Sequence, residues 1–291
     1  MLHCESRHFI REGRPDIGIS RQSLPNSPEL RPREGAASTL LGRPVWYELM
    51  TTDMKAAEAF YKTVVGWTTE PFKGAGHPYT ALQRSGNVGV GGIMERPAEM
   101  KAPPFWAMYV AVPKLEDAVA QITKRGGKTH TEVISIKDVG RMQLMMDPQG
   151  AAFYLIEPAR DEQPEHAPEL GDASWVELMT TDPKAALKFY QDVFHWTPGK
   201  TMDMGEMGVY QTFSRPRGEI GGIMKKPAQM ANVPPNWQIY FRVPDVDAAA
   251  ERIARAGGKV LNGPMDVPDG DRVLNALDPQ GAAFGLHAKK R

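Results

Sequence analysis

Two glutamates have the spacing and surroundings expected of a chemical site. Glu48 lies in the octapeptide Trp-Tyr-Glu-Leu-Met-Thr-Thr-Asp that begins at Trp46, and Glu177 lies in Trp-Val-Glu-Leu-Met-Thr-Thr-Asp, which begins at Trp175. Alternate side chains of a β-strand face the same side, so each glutamate would share a face with the tryptophan before it and the methionine after it. A carboxylate on such an apolar face is unstable unless it is paired, protonated or in contact with a ligand.

Two interpretations of this pair stay open at the level of the sequence. In the first, Glu48 and Glu177 are catalytic general bases or anchors inside a ligand cavity. In the second, both are structural and bond to the sheet edge or to an arginine of a neighbouring unit. We call the face that carries Trp46 and Glu48 the first inner face, and the face that carries Trp175 and Glu177 the second inner face.

The same alternation assigns further side chains to these faces. The first inner face receives Tyr109 and Tyr154, and the second receives Gln238, Tyr240 and Arg242. We predict that these residues, with Trp46 and Trp175, bind a ligand. His287 also has the parity of the second inner face, although a solvent-facing position near the end of the chain is the alternative. Because the second inner face is the more polar, we expect it to be the working site if one face acts alone.

The sequence contains a long internal repeat. Residues 46–53 return as 175–182, and residues 147–153 return as 278–284, so the register shift grows from 182 − 53 = 129 to 278 − 147 = 131. Such a long period exceeds that of solenoid repeats, which is about 20–50 residues, so each copy is predicted to be a domain. We place the domains at 43–158 and 173–288, with a linker at 159–172. Residues 1–42, rich in Arg, Pro, Ser and Gly, are predicted to form a disordered tail.

The pattern inside one copy predicts two β-α-β-β-β units and therefore an α+β fold. In the first unit a strand over 45–50 is followed by a helix that Asp53 caps and Gly66 ends. Strands over 79–84 and 88–94 follow this helix. The second unit has a strand over 106–112 and a helix from Leu115 to the Gly126-Gly127 pair. Its last strands are predicted over 131–134, 142–146 and 151–156.

Composition excludes several classes of function. Lys plus Arg equals Asp plus Glu at 35 each, so no net charge attracts nucleic acid or an anionic membrane. The sequence has no apolar run of the roughly 20 residues that span a bilayer, and its start does not resemble a signal peptide. Cys4 is the single cysteine. We therefore expect a cytoplasmic protein, monomeric or homodimeric, whose partner is a small molecule.

The repeated motifs resemble a known family. Four motifs carry the resemblance: Trp-x-Glu-Leu-x-Thr-x-Asp, the Phe-Tyr helix, the Val-Pro pair that begins the second unit, and Asp-Pro-Gln-Gly-Ala. They are similar to motifs of the glyoxalase/bleomycin resistance/dihydroxybiphenyl dioxygenase superfamily, also called vicinal oxygen chelate. Within it, the chain looks most like the tandem-domain, glyoxalase-like "hydroxylase" branch. The resemblance covers about residues 44–158 and 173–288. It implies that two tandem domains each pair their β-α-β-β-β units around a cupped mixed sheet.

The resemblance also implies a divalent metal, but the ligand positions are altered. Metal-dependent members hold Ni²⁺, Zn²⁺, Fe²⁺ or Mn²⁺ through His, Gln or Glu at three positions of each domain. Matched motif by motif, these positions hold Trp46, Ala107 and Tyr154 in the first copy, and Trp175, Gln238 and Gly285 in the second. Of the six residues, Gln238 is the plausible ligand. We therefore predict no metal triad and name no cofactor, with a shifted set (Glu177, Gln238, His287) as the alternative.

Three function classes follow. The first is a glyoxalase-like protein that acts on, or binds, a small organic molecule without the usual metal triad. The second is a metal-dependent lyase or dioxygenase with a relocated site in the second domain. The third is a non-catalytic drug-binding, metabolite-binding or regulatory protein, as members that bind bleomycin-type drugs are. Whether the protein is an enzyme stays open from the sequence.

Overall fold

A computed structural model describes residues 40–98, 100–160, 165–268 and 270–290. It consists of two mixed β-sheets and four α-helices in these ranges, which confirms the α+β fold class. The tail predicted at 1–42 lies outside the described residues except for its last three.

The first sheet contains β1 (Arg43–Thr51), β2 (Thr68–Pro71), β3 (Tyr79–Arg84), β4 (Val88–Glu95), β5 (Phe105–Ala111), β6 (Lys128–Thr129), β7 (Ile134–Ile136), β8 (Gly140–Met146) and β9 (Ala152–Pro158). The second contains β10 (Ala173–Thr180), β11 (Thr197–Asp203), β12 (Val209–Arg215), β13 (Gly218–Lys225), β14 (Asn236–Arg242), β15 (Lys259–Asp266), β16 (Arg272–Leu277) and β17 (Ala283–Ala288).

Each helix follows the first strand of its unit. The helices are α1 (Met54–Val64), α2 (Leu115–Lys124), α3 (Pro183–Phe194) and α4 (Val246–Arg255). The Asp53 carboxylate accepts a hydrogen bond from the Ala56 amide, so the predicted cap of α1 is confirmed. Asp182 does the same at the start of α3. None of the helices in the described ranges is long and apolar enough to cross a bilayer.

The first strands of the four units lie at the centres of the sheets. The order is β2-β3-β4-β1-β5-β9-β8-β6 in the first sheet, where β7 also pairs with β8, and β11-β12-β13-β10-β14-β17-β16-β15 in the second. In each sheet the first unit joins the second through an antiparallel pair, β1 with β5 and β10 with β14. All strands of each sheet therefore come from one copy of the repeat.

One predicted strand is displaced. The strand expected over 131–134 is absent there, and the chain instead pairs at Lys128–Thr129 and Ile134–Ile136. Thr131 interrupts the ladder because its hydroxyl accepts the hydrogen bond of the Leu144 amide, at 3.1 Å, that a backbone carbonyl would otherwise take. A threonine side chain that competes with the backbone in this way ends regular pairing.

The segment between the two sheets is held by side chains from both. Arg84 forms ion pairs with Glu169, at 2.7 Å, and with Asp172, at 2.8 Å. Trp67 donates its indole N–H to the Gly171 carbonyl at 2.8 Å. Residues 165–172, part of the span predicted as a linker, therefore follow a path determined by specific contacts rather than a free one.

The helix-side faces of the two sheets share one apolar core. Phe241 of β14 packs against Trp67 and Trp106 of the first copy, with ring centroids 4.7 and 4.8 Å apart. Phe60 of α1 contacts Phe284 of β17 with centroids 5.8 Å apart. All of these rings are nearly or fully buried and belong to a single cluster that spans both copies. Because apolar area removed from water is the main stabilising contribution in folding, the two copies stabilise each other.

Two buried tyrosine–aspartate hydrogen bonds cross between the copies. Tyr61 donates to Asp278 at 3.2 Å, and Tyr190 donates to Asp147 at 3.0 Å. The other oxygen of Asp147 accepts the amide of Ala151, at 2.9 Å, in the Asp-Pro-Gln-Gly turn. The repeated turn motif therefore has a physical role, because its aspartate closes the turn and receives a hydrogen bond from the other copy.

We expect Tyr190→Phe to lower the free energy of unfolding by about 1–3 kcal/mol, because it leaves a buried Asp147 oxygen without its donor. Denaturant unfolding at constant pH measures the change. Tyr154→Phe is the matched control, since the Tyr154 hydroxyl forms no hydrogen bond with a described residue. Equal losses in the two variants would contradict a specific role for the Tyr190–Asp147 bond.

Candidate functional site

Glu48 is buried on the first inner face and is held by tyrosine hydroxyls. Its side chain belongs to a residue only 6% exposed. Tyr109, from the neighbouring β5, donates its hydroxyl to Glu48 Oε1 at 2.8 Å. Tyr79 lies close enough to the carboxyl group to lower its pKa, and its own hydroxyl accepts the indole N–H of Trp46 at 2.9 Å. The result is a Trp–Tyr–Glu–Tyr network drawn from three strands.

The second inner face repeats this network around Glu177, which is 8% exposed. Tyr210 donates to Glu177 Oε2 at 2.9 Å, and Tyr240 donates to Oε1 at 3.4 Å. Trp175 donates its indole N–H to the Tyr210 hydroxyl at 2.8 Å. Tyrosine hydroxyls are therefore the groups that satisfy these glutamates, in place of the arginine or sheet edge considered in the structural interpretation.

Burial favours the uncharged, protonated form of both carboxyl groups. Burial raises the pKa of Glu48 and Glu177 above the usual range, because a low-dielectric environment disfavours the charged form. The tyrosine hydrogen bonds lower the pKa of each group but do not cancel the effect of burial. For Glu177 the structure shows no cation that opposes the shift among the described residues. A carboxyl group with a raised pKa keeps its proton to a higher pH than an exposed glutamate does, and is a candidate proton donor or acceptor.

The repeated Gly-Gly pair makes room for the tyrosines that the sequence reasoning missed. A Cβ atom at Gly92 would lie 2.0 Å from the Tyr79 hydroxyl, and one at Gly222 would lie 2.1 Å from the Tyr210 ring. Each glycine pairs with a glutamate, Gly222 with Glu177 in the second sheet, so the tyrosine crosses the glycine to reach the carboxyl group. The available signal was the recurrence of a tyrosine at the start of β3 and β12.

The two inner faces differ at their centres. On the first, Tyr109 and Tyr154 stack with ring centroids 4.3 Å apart and planes 4° apart. These rings join an apolar cluster that includes Met142, Leu144 and Ile156. On the second, Gly285 replaces Tyr154, and Tyr240 lies directly over it. The second inner face therefore carries one aromatic ring fewer at this position.

Gln238 adds polar capacity next to Glu177. It is the cross-strand neighbour of Glu177 and is 5% exposed. Its side-chain amide forms no hydrogen bond with any residue in the described ranges. A ligand on this face can use the donor and acceptor groups of that amide.

Two of the residues assigned to the second inner face bond elsewhere. Arg242 donates through Nη1 to the Pro168 carbonyl at 2.6 Å. His287 contacts Ser174 through Nδ1 and Asp271 through Nε2, each at 2.8 Å. Neither side chain reaches the Glu177 carboxyl group, so the structure groups Trp175, Gln238, Tyr240 and Glu177 and leaves these two outside.

The fold and the two hydrogen-bond networks around Glu48 and Glu177 together define a class of protein. The chain carries two copies of paired β-α-β-β-β units, each with a sheet face that presents a buried acid and aromatic walls. A model of the "Glyoxalase/Bleomycin resistance protein/Dioxygenase superfamily" matches residues 173–286. "Putative glyoxylase CFP32" of Mycobacterium bovis is 36% identical over 249 residues, which are 84% of this chain and 94% of that protein. The chain belongs to this superfamily.

Other relatives agree with this assignment. "Anthracycline biosynthesis protein DnrV" of Streptomyces peucetius is 30% identical over 264 residues, 84% of this chain and 92% of that protein. Homoprotocatechuate 2,3-dioxygenase from B. fuscum superposes with a TM-score of 0.64 at 16% identity, covering 89% of this chain and 74% of that one. The Mn(II)-bound glyoxalase from Novosphingobium aromaticivorans gives 0.59 at 15%, covering 86% and 83%. At these identities the two structures show a shared fold.

The metal that the fold family implies does not fit the residues at the family's ligand positions. In the first copy Trp46 uses its indole N–H on Tyr79, Ala107 has no donor atom, and Tyr154 stacks on a ring. In the second copy, the shifted set is separated, because Tyr240 pairs with Gly285 and Arg242 with His287. Gln238 and His287 are thus four residues apart along the strands, roughly 13 Å. Among the described residues, no three His, Cys, Asp or Glu side chains converge as a metal site.

We expect Gly222→Ala to lower the free energy of unfolding by about 1–3 kcal/mol, since its methyl group overlaps the Tyr210 ring. In a Tyr210→Ala background most of this loss should disappear, because the atoms nearest the new methyl group are gone. Denaturant unfolding of the two single variants and the double variant measures the coupling. The same cost in both backgrounds would contradict the steric explanation.

We expect Glu177→Gln to raise the melting temperature relative to the parent protein at pH 8. A raised pKa means that the folded state binds the Glu177 proton more tightly than the unfolded state does, so the parent loses stability as pH rises above about 4.5. The glutamine variant does not titrate, so its advantage should shrink as pH falls toward that value.

Thermal unfolding of both proteins between pH 4.5 and 8 checks this expectation. Glu95→Gln, at an exposed strand end, is the matched control and should show no pH-dependent gain. A large loss of stability in Glu177→Gln at every pH would instead identify the carboxyl group as a structural element.

Proposed function

We propose that this protein binds a small oxygen-bearing organic molecule on its second inner face, with Glu177 as the polar anchor and without a metal triad. The observation that carries the proposal is a neutral-leaning buried glutamate beside Gln238, whose amide has no hydrogen-bond partner among the described residues. Trp175, Tyr210 and Tyr240 supply aromatic walls. Pockets with apolar walls and a few polar groups are typical of small-molecule sites.

The second inner face is favoured over the first because of the residues at equivalent positions. Gln238 stands where the first copy has Ala107, and Gly285 stands where it has Tyr154. The change adds a polar group and removes a ring that, in the first copy, stacks against Tyr109. A ligand therefore gains hydrogen-bonding capacity on the second inner face.

The carboxyl group of Glu177 can serve a ligand in two ways. In its protonated form it donates a hydrogen bond to a carbonyl oxygen, and in its ionised form it accepts a proton from an acidic C–H or O–H group. The two tyrosines keep the carboxyl group oriented in either state because they donate to different oxygens. Proton transfer by Glu177 would make the protein a glyoxalase-like enzyme, and hydrogen bonding alone would make it a binding protein.

The names of the relatives suggest two ligand chemistries to try. CFP32 is named as a glyoxylase, and DauV and DnrV as anthracycline biosynthesis proteins. A 2-oxoaldehyde offers vicinal oxygens to Glu177 and Gln238, whereas an anthracycline offers a planar ring system with phenol and quinone oxygens. Aromatic walls next to a hydrogen-bonding carboxyl group suit the second chemistry particularly well. We assign this activity to the cytoplasm, a proposal supported by the balanced charge and the single cysteine.

We expect Glu177→Gln to weaken binding of an anthracycline or a 2-oxoaldehyde at least 10-fold, because the ligand loses its protonatable partner. Isothermal titration calorimetry measures affinity, and a coupled assay for loss of the 2-oxoaldehyde measures turnover. Glu48→Gln is the matched control, since it makes the same change in the same network on the other inner face. We expect it to leave affinity within about twofold.

Two results would overturn the proposal. One is unchanged binding and turnover in Glu177→Gln while Glu48→Gln abolishes them, which would move the site to the first inner face. The other is about one tightly bound metal per chain after incubation with Ni²⁺, Zn²⁺, Fe²⁺ or Mn²⁺, measured by mass spectrometry. That stoichiometry would support a metal-dependent enzyme with a relocated site.

A further inference from the structure

A second polar constellation lies on the second sheet, away from Glu177. The pairing of β10 with β14 shifts register between Ala173 and Trp175, so Ser174 is the extra residue of a β-bulge. A bulge re-aims the side chain of its extra residue. Ser174 consequently points toward His287 of β17, which has the parity of the second inner face, rather than alternating with Trp175.

Ser174, His287 and Asp271 form a continuous hydrogen-bonded chain. Ser174 Oγ lies 2.8 Å from His287 Nδ1, and His287 Nε2 lies 2.8 Å from Asp271 Oδ2. Asp271 is positioned by the Lys290 amide, which donates to Oδ1 at 2.9 Å. Partial burial opposes ionisation of Asp271, but the bonds from Lys290 and His287 outweigh it and lower its pKa.

This order of contacts assigns the tautomer of the imidazole. An ionised Asp271 accepts a hydrogen bond and so places the imidazole proton on Nε2. Nδ1 then carries the lone pair and accepts from Ser174 Oγ–H at 2.8 Å, a shorter contact than the 3.3 Å from Ser174 Oγ to the Tyr240 carbonyl. A serine, a base and an orienting carboxylate in this relation are the roles of a nucleophilic triad, here with the two ring nitrogens exchanged relative to the chymotrypsin arrangement.

The first copy has the same bulge without this chemistry. The register of β1 with β5 shifts between Pro44 and Trp46, which makes Val45 the extra residue. Val45 and Ile156, the equivalents of Ser174 and His287, pack in the apolar cluster of the first inner face. Gly140 stands where the second copy has Asp271. Three apolar or small residues in one copy thus correspond to serine, histidine and aspartate in the other.

We propose that Ser174 is a nucleophile that takes an acyl group from a small carboxylic ester, with His287 as its general base and Asp271 as the residue that positions the imidazole. Ser174 Oγ attacks the ester carbonyl while its proton passes to His287 Nδ1. The C–O bond to the alcohol breaks, the alcohol leaves with that proton, and Ser174 is left acylated. Water then attacks the acyl-serine with His287 again as base, which releases the carboxylic acid and restores Ser174.

The three side chains are partly buried yet open to small reagents. Ser174 is intermediate in exposure, and the side chains of His287 and Asp271 are 15% and 25% exposed. A surface cavity of about 400 Å³ lies nearby, lined by Gly270, Arg272 and Lys290 among others, but neither Ser174 nor His287 lines it. The ester is therefore expected to approach from the second inner face rather than from this cavity.

The test is acylation of the full chain by 4-nitrophenyl acetate, with the modified residue located by peptide mass spectrometry. We expect acetylation of Ser174 at least 100-fold faster than acetylation of Ser214. Ser214 is the internal control because it is a strand serine of intermediate exposure in the same sheet. Ser174→Ala should abolish the fast phase of 4-nitrophenol release, with the melting temperature showing that the variant folds.

Variants of the other two residues separate chemistry from structure. His287→Ala should slow Ser174 acetylation about 100-fold or more, and added imidazole should restore part of the rate. Asp271→Asn should also slow it, and Asp271→Glu should recover part of what Asp271→Asn loses. Ser174 acetylation no faster than that of Ser214, or a His287→Ala rate equal to that of the parent, would overturn the proposal. Peptide mass spectrometry of Ser174 and calorimetry of the ligand are separate readouts on separate variants, so failure here and failure of the ligand site are distinguishable.

Discussion

The arrangement of the molecule depends on one requirement, that each sheet covers its helix-side face with apolar side chains from the other copy. Phe241 lies between Trp67 and Trp106, and Phe60 contacts Phe284, so the core cannot be divided between the copies without exposing these rings. The buried Tyr61–Asp278 and Tyr190–Asp147 bonds add directional contacts to this packing. Because the shared core occupies one face of each sheet, the two inner faces are the sheet faces that it leaves uncovered.

A buried carboxyl group on each inner face is tolerated because the surrounding strands supply neutral donors. A pairing arginine would keep the glutamate ionised and would leave a charged pair with a large desolvation cost. Tyrosine hydroxyls instead satisfy Glu48 and Glu177 while burial raises the pKa of each carboxyl group. The glycine opposite each glutamate leaves room for the tyrosine ring, since any larger residue would displace that ring. The network therefore maintains a buried acid whose protonated form is favoured relative to that of an exposed glutamate.

Duplication has allowed the two inner faces to diverge while the shared core has kept its form. The substitutions from first to second copy are Ala107 to Gln238, Tyr154 to Gly285, Val45 to Ser174 and Ile156 to His287. All four lie away from the core that joins the copies. Changes in the shared core would create cavities or overpacking that destabilise both copies, whereas changes on an inner face leave that core intact.

Local sequence patterns are sufficient to predict the duplication, the β-α-β-β-β plan and the face on which most strand residues lie. These features are encoded locally, because a period of two or of 3.6 residues and a capping aspartate such as Asp53 act over a few positions. The sequence also indicated that Glu48 and Glu177 would be buried and unusual. The strand expected over 131–134 was wrong because a single side chain, Thr131, took over a backbone hydrogen bond.

Which side chains form hydrogen bonds or pack together depends on the tertiary structure. Trp46 and Tyr79 are 33 residues apart, and Ser174 and His287 are 113 apart, so their contacts depend on strand order and on a bulge rather than on local pattern. Strict alternation along β10 would put Ser174 on the face opposite to Trp175, and the bulge turns it toward His287 instead. No periodicity shows that Phe241 enters the core of the other copy. Faces follow from geometry within one strand, whereas hydrogen-bond partners and packing neighbours follow from how all the strands are assembled.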